Sequence, residues 1–165
     1  MILPVLTQVG LKWENGSDAA ISQEHFASHL IRGRLLSPGR LWSRGDGPLA
    51  VIACAPGEAH DITLLAFGLL LRSHGWRILF LGANTPISAL TQTAQRTRPA
   101  MIVLASFNPG RLRAQAPALA ELAKLGRLVL AGPGASAALC ARLGVQRLDG
   151  DLITAAHDLA RLPDR

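Results

Sequence analysis

From Leu49 onward, short apolar segments alternate with helical stretches, and no other feature limits the fold of this chain so strongly. The segments are LAVIACA from Leu49, RILFLG from Arg77, MIVLAS from Met101, RLVLAG from Arg127 and VQRL from Val145. Each has strand length. Most are apolar throughout instead of alternating with polar residues, which is the pattern of a strand buried on both faces. Between them the spacing predicts helices near residues 61–74, 87–97, 112–125 and 135–143, with a last one running through Ala160. Strands that are each followed by a helix require right-handed crossovers and a parallel sheet covered on both sides. The expected fold is therefore α/β, a doubly wound parallel five-stranded sheet over residues 49–165. In such a sheet ligands sit outside the carboxyl ends of the strands, so the loops that follow the strands hold the chemistry.

Ahead of the sheet, Ser17 or Asp18 can cap a helix that runs to Leu36, with Ile21, Phe26, Leu30 and Ile31 near helical spacing. Pro38, Gly39, Gly45, Gly47 and Pro48 then break the chain. Residues 1–48 are thus read as a short N-terminal helical preface and linker, and residues 49–165 as the α/β domain. A length of 165 residues suits one domain with such an appendage. With 49% hydrophobic but only 4% aromatic residues and no tyrosine, the composition favours small-residue helices packed on an aliphatic sheet.

The net charge of +6, from 17 Lys plus Arg against 11 Asp plus Glu, suits phosphate or nucleic-acid contact, or equally the arginine bias of a high-GC genome, with a solvated face as the default. It concentrates only at Arg32, Arg34, Arg40 and Arg44, without a recognition motif, so direct DNA contact stays open. Cys54 and Cys140 make neither a disulfide framework nor a zinc site and read as inert core thiols. No stretch approaches the roughly 20 apolar residues of a membrane span, and the first ten residues lack a signal-peptide pattern. The expectation is a cytoplasmic protein without membrane contact.

The first strand-to-helix loop contains the most pointed group, His60 with Glu58 two residues earlier. Glu58 can accept a hydrogen bond from one ring nitrogen and orient the other toward a metal; a loop histidine that merely satisfies a helix end is the alternative. Gly132 and Gly134 form either an ordinary strand-to-helix turn or a place of close backbone approach. Trp13, Glu24 and His25, taken alone, are packing or solvated helix positions, and the pair His25 and His29 lacks a third metal ligand nearby. No nucleophile has a base partner within the chain, so catalysis by it alone is not expected.

Gly57-Glu58-Ala59-His60-Asp61, the leucine-rich helix after it, Gly75-Trp76-Arg77 and Leu81-Gly82-Ala83-Asn84-Thr85-Pro86 resemble the cobalamin-binding domain of MerR-type, light-responsive transcriptional regulators. The resemblance covers nearly the whole chain, is strongest over residues 57–86, and implies a Rossmann/flavodoxin-like cobalamin-binding fold. It implies His60 as the lower ligand of cobalt, displacing the cofactor's own base, whose tail enters the sheet. In the family pattern Asp/Glu-x-His-x-x-Gly the last position is here Thr63, whose hydroxyl still offers a hydrogen bond. Ser106, or Ala105 in the other register, stands where the family's serine contacts the base, and Gly132 and Gly134 stand for the family's Gly-Gly, against which the buried tail lies.

Trp13 and the pair Glu24-His25 resemble residues that project from a helical bundle onto the upper face of cobalamin, where Trp and Glu accommodate the adenosyl group removed by light. Glu14 follows Trp13 where one photoreceptor group has a histidine. The implied function is a cobalamin sensor or regulatory domain, using adenosylcobalamin rather than methylcobalamin, responsive to light, and controlling transcription through homo-oligomerisation or a regulatory protein partner. The rivals are a corrinoid carrier subunit of a methyltransferase or mutase and a degenerate interaction module that binds nothing. Neither a winged DNA-binding domain nor a complete four-helix bundle fits before Leu49, so the chain is expected to be a fragment of such a regulator or a standalone sensor.

Overall fold

The computed structural model describes residues 18–37 and 42–161. It separates into two units that divide between Ser37 and Pro38. In the first, α1 (Asp18–Leu36) is the helix expected from the sequence, with Arg34 in its last turn, where a cation complements the helix dipole.

The second unit holds β1 (Leu49–Cys54), α2 (Ile62–Ser73), β2 (Arg77–Gly82), α3 (Ile87–Thr97) and β3 (Met101–Ala105). There follow α4 (Pro109–Ala114), α5 (Ala116–Ala123), β4 (Arg127–Ala131), α6 (Ala137–Leu143), β5 (Gln146–Arg147) and α7 (Leu152–Ala160). The five strands form one parallel sheet in the order β2-β1-β3-β4-β5. The expected doubly wound α/β architecture is thus the one observed. The chain moves from β1 outward to β2 and then returns past β1 to β3. Between the carboxyl ends of β1 and β3 the connections therefore diverge, which opens a crevice.

The interior strands β1, β3 and β4 are buried almost throughout, whereas both residues of the short edge strand β5 are exposed. On one face Val51, Ala53, Ile102, Leu104, Leu128 and Leu130 pack against Ile87 and Leu90 of α3, Leu119 and Leu122 of α5, and Leu139 of α6. On the other face α2 and α7 pack on each other. Gly68 of α2 lets the helix approach the sheet there: a Cβ at that position would stand 2.7 Å from Ile52 Cδ1. The same contact holds Trp42, 3.3 Å from that Cβ position, only 4% exposed and edge-on to Phe80. A segment read from its breakers as linker thus contributes a large side chain to the α/β unit.

The helix expected over residues 112–125 is two helices. Pro117 has no N–H to bond the Arg113 carbonyl and its ring crowds that carbonyl, so the chain breaks at Gln115 and restarts with Pro117 in the first turn. The first of the two also begins earlier, at Pro109, because Asn108 caps it by accepting the Gly110 N–H at 2.8 Å. Among the described residues no helix is long and apolar enough to cross a membrane.

Candidate functional site

The site grows from the loop that leaves β1. The Ala55 N–H donates to the Ala105 carbonyl at 2.9 Å and the Glu58 N–H to the Ala55 carbonyl at 2.9 Å, so the chain turns at once beside the end of β3. Gly57 takes the left-handed φ of 78° that this turn requires. Asn84, from the loop after β2, clamps the turn from the other side: its Oδ1 accepts the Gly57 N–H at 2.7 Å and its own N–H donates to the Glu58 carbonyl at 2.8 Å. Asn84 is itself left-handed, with φ 49°, a conformation that asparagine tolerates better than most residues.

The turn delivers Glu58 into the crevice with no solvent exposure. Its Oε1 accepts from His60 Nδ1 at 2.6 Å and from the His60 N–H at 3.2 Å. Its Oε2 accepts from the Phe107 N–H at 2.8 Å, from Arg111 at 2.7 Å and from the Ser106 hydroxyl at 3.2 Å. Burial alone would raise the pKa of this carboxyl. The hydrogen bonds from the Phe107 backbone, from the His60 ring and backbone and from Arg111 outweigh it and hold the pKa at about 2.

A carboxylate only accepts hydrogen bonds, so His60 Nδ1 carries the proton of the 2.6 Å contact and, in the neutral ring, Nε2 keeps its lone pair. The His60 side chain is 71% exposed, and the ring lies 5.2 Å from that of Phe107. A cavity of about 350 Å³ opens beside it at the carboxyl ends of the strands. Its walls are Thr63 and Phe67 of α2, Ala105 to Phe107, Gly132 and Pro133 after β4, and Arg147 to Gly150 with Leu152, Arg147 and Asp149 being paired at 2.7 Å. An imidazole fixed through one nitrogen by a buried carboxylate, with the other nitrogen free beside a cavity, is the arrangement of a metal-ligating histidine.

The structure thus brings together His60, Glu58, Thr63, Ser106 and Gly132. Ser106 is fully buried, and its hydroxyl is occupied by Glu58 and by the Asn108 backbone, from which it accepts an N–H at 3.1 Å. Ala105, the other register, is the last residue of β3. Gly132 and Gly134 are pressed against the loop after β3: a Cβ on either would fall 2.7 or 2.6 Å from the Ser106 carbonyl oxygen, and Gly132 also has φ 83°. Protein packing by itself therefore demands both glycines, and only Gly132 lines the cavity. Asp61 is buried in the N-cap position of α2. Trp13 lies outside the described residues, as do the side chains of Glu24 and His25 within α1. Cys54 and Cys140 are both buried; the Cys54 thiol donates to the His60 carbonyl at 3.6 Å, and burial pushes the Cys140 thiol pKa up.

Hydrophobic periodicity does not single out Arg111. The signal was there in Asn108-Pro109, a cap followed by a first-turn proline, which starts the helix early enough to place Arg111 beside the loop after β1.

No family model matches the chain. Two curated relatives do. The HTH-type transcriptional repressor CarA of Myxococcus xanthus is 38% identical over 122 residues, covering 70% of this chain and 37% of that protein. The HTH-type transcriptional repressor CarH of the same organism is 34% identical over 106 residues, covering 64% and 35%. Over the matched residues the chain is homologous to these MerR-type repressors. It spans only about a third of the length of these relatives, both of which are named as repressors rather than enzymes. Among solved structures, a monomethylamine corrinoid protein of Methanosarcina barkeri superposes with a TM-score of 0.65 at 17% identity, over 78% of this chain and 64% of that one. A cobalamin-binding protein of Desulfitobacterium hafniense gives 0.61 at 16% identity, over 86% and 76%. At such identities the likeness shows a shared fold.

Proposed function

We propose that the α/β unit binds cobalamin through His60 Nε2 and that the chain acts as a cobalamin-dependent regulatory domain. The observation that carries this reading is the 2.6 Å contact between His60 Nδ1 and the buried, ionised Glu58, which leaves Nε2 free beside the cavity. The donor set fits the group. A neutral imidazole suits cobalt, and the buried carboxylate behind it fixes the tautomer and raises the basicity of the ligating nitrogen. Bound cobalamin would supply a cobalt–ligand bond that light or reaction can change.

The chain's own residues do the holding. Glu58 orients His60, Ser106 and the Phe107 N–H orient Glu58, and Thr63 and Gly132 shape the wall on which the displaced base would rest. Asp61, buried at the N-cap position of α2, is assigned to the site from its resemblance in sequence, and Gly134 keeps the loops after β3 and β4 in contact. Trp13, Glu24 and His25 are assigned to the upper face, from their resemblance in sequence, and with them the preference for adenosylcobalamin and a response to light. The two curated relatives are named as transcriptional repressors, which favours regulation over corrinoid carriage. In this reading cofactor state changes self-association or the binding of a regulatory partner.

The test is to mix the chain with adenosylcobalamin in the dark, desalt it, and follow absorption and sedimentation before and after illumination. Retained colour, a spectral change on illumination and a change of assembly state are expected. Colour lost on desalting would end the cobalamin reading, and identical sedimentation in every state would end the regulatory one.

A further inference from the structure

We infer that Arg111 is a positioning residue for the histidine ligand: from the first turn of α4 it clamps Glu58 and thereby fixes which nitrogen of His60 faces the cavity. The inference rests on the cobalamin reading only where the cofactor is the readout. Glu58 gathers donors on both oxygens, His60 on Oε1 and Phe107, Arg111 and Ser106 on Oε2. The last torsion of a glutamate is broad, so the edge presented to His60 is set by what holds the opposite oxygen. Of those three partners Ser106 is the longest, at 3.2 Å, and its hydroxyl is shared with Asn108. Phe107 is a single neutral N–H. Arg111, at 2.7 Å, is the shortest of the three and alone among them brings a full positive charge to the carboxylate.

Arg111 is held in place in turn. Its N–H donates to the Asn108 carbonyl at 3.2 Å, Asn108 caps the helix, and Ser106 ties Asn108 to the end of β3. Its side chain passes over Gly57, where an added Cβ would lie 3.4 Å from Arg111 Nε. The guanidinium therefore bridges the loops after β1 and β3 across the crevice, with Glu58 as its partner, and Arg111 does not line the cavity. Any effect on the ligand passes through Glu58. A counter-ion needed only for folding would leave the ring nitrogens of His60 unchanged in a folded variant.

The test compares the full chain with Arg111→Met, which keeps the apolar stem, and Arg111→Lys, which keeps a charged donor. In the cofactor-free protein at one neutral pH, nitrogen NMR of the His60 ring is expected to show the Nδ1-protonated tautomer in wild type. Exchange between tautomers is expected in Arg111→Met with native dispersion elsewhere, and recovery in Arg111→Lys. With cobalamin bound, release from Arg111→Met should be about tenfold faster than from wild type. A folded Arg111→Met that keeps the wild-type tautomer and release rate overturns the inference. If Arg111→Met does not fold, Arg111→Gln carries the same comparison. A tautomer change in a protein that retains no cobalamin would leave Arg111 in its role and remove the cofactor reading instead.

Discussion

A carboxyl group with no solvent contact normally resists ionisation, yet Glu58 titrates at about 2 because its hydrogen-bond donors more than replace the water it has lost. The consequence for stability has a definite sign. The folded pKa lies below the ordinary 4.5, so the contribution of this group is complete above about pH 4.5 and is lost as pH falls toward 2. Wild type should therefore be more stable than Glu58→Gln at neutral pH, and denaturant titrations should show the gap narrowing through that acid window. A gap independent of pH would mean that Glu58 is not ionised in the native state. Glutamine also places an amide donor where only acceptors are wanted, so Glu58→Gln should weaken cobalamin binding by about 10- to 100-fold, as loss of an outer-shell partner does at other metal sites. Equilibrium binding followed by absorption checks it.

Among the elements, the loops after β3 and β4 are locked together by the absence of side chains. Gly134→Ala would drive a methyl group to within 2.6 Å of the Ser106 carbonyl oxygen and 2.9 Å of Asn108 backbone atoms. Relief requires the backbone to shift, and we expect a loss of about 1–3 kcal/mol in chemical denaturation. Trp42→Ala removes a nearly buried indole from between Gly68 and Phe80, and should cost about 3–5 kcal/mol in the same measurement. A change below about 1 kcal/mol would show the segment before β1 to be as loose as its breakers suggest. The strands were legible because a parallel strand buried on both faces must be apolar throughout, a pattern LAVIACA and MIVLAS show without ambiguity. The break at Gln115 was hidden by apolar spacing that continues across Pro117. Glu58 with His60 could be read as a unit because they are two residues apart. The Glu58–Arg111 pair could not, since it joins residues 53 positions apart through a fold that local periodicity does not encode. Trp42 gave no signal either, since nothing periodic surrounds it.

At the scale of the whole molecule, binding to the native state alone must raise stability by mass action. At a cobalamin concentration a hundred times the dissociation constant the gain is about 2.7 kcal/mol, visible as a rise in Tm that His60→Ala should largely abolish. An equal rise in both proteins would move the binding determinant away from His60. The chain covers 37% and 35% of the CarA and CarH repressors. The proposed cofactor site turns on one bond, from His60 Nε2 to cobalt. Electron paramagnetic resonance of the chain with cobalamin reduced to the Co(II) state reports the axial nitrogen directly. With the protein's histidines labelled with the heavy nitrogen isotope, the nitrogen splitting on cobalt should change from a triplet to a doublet, and His60→Ala should remove that response. A triplet that persists in the labelled protein would show that the cofactor's own base still holds cobalt, and would contradict the assignment of His60.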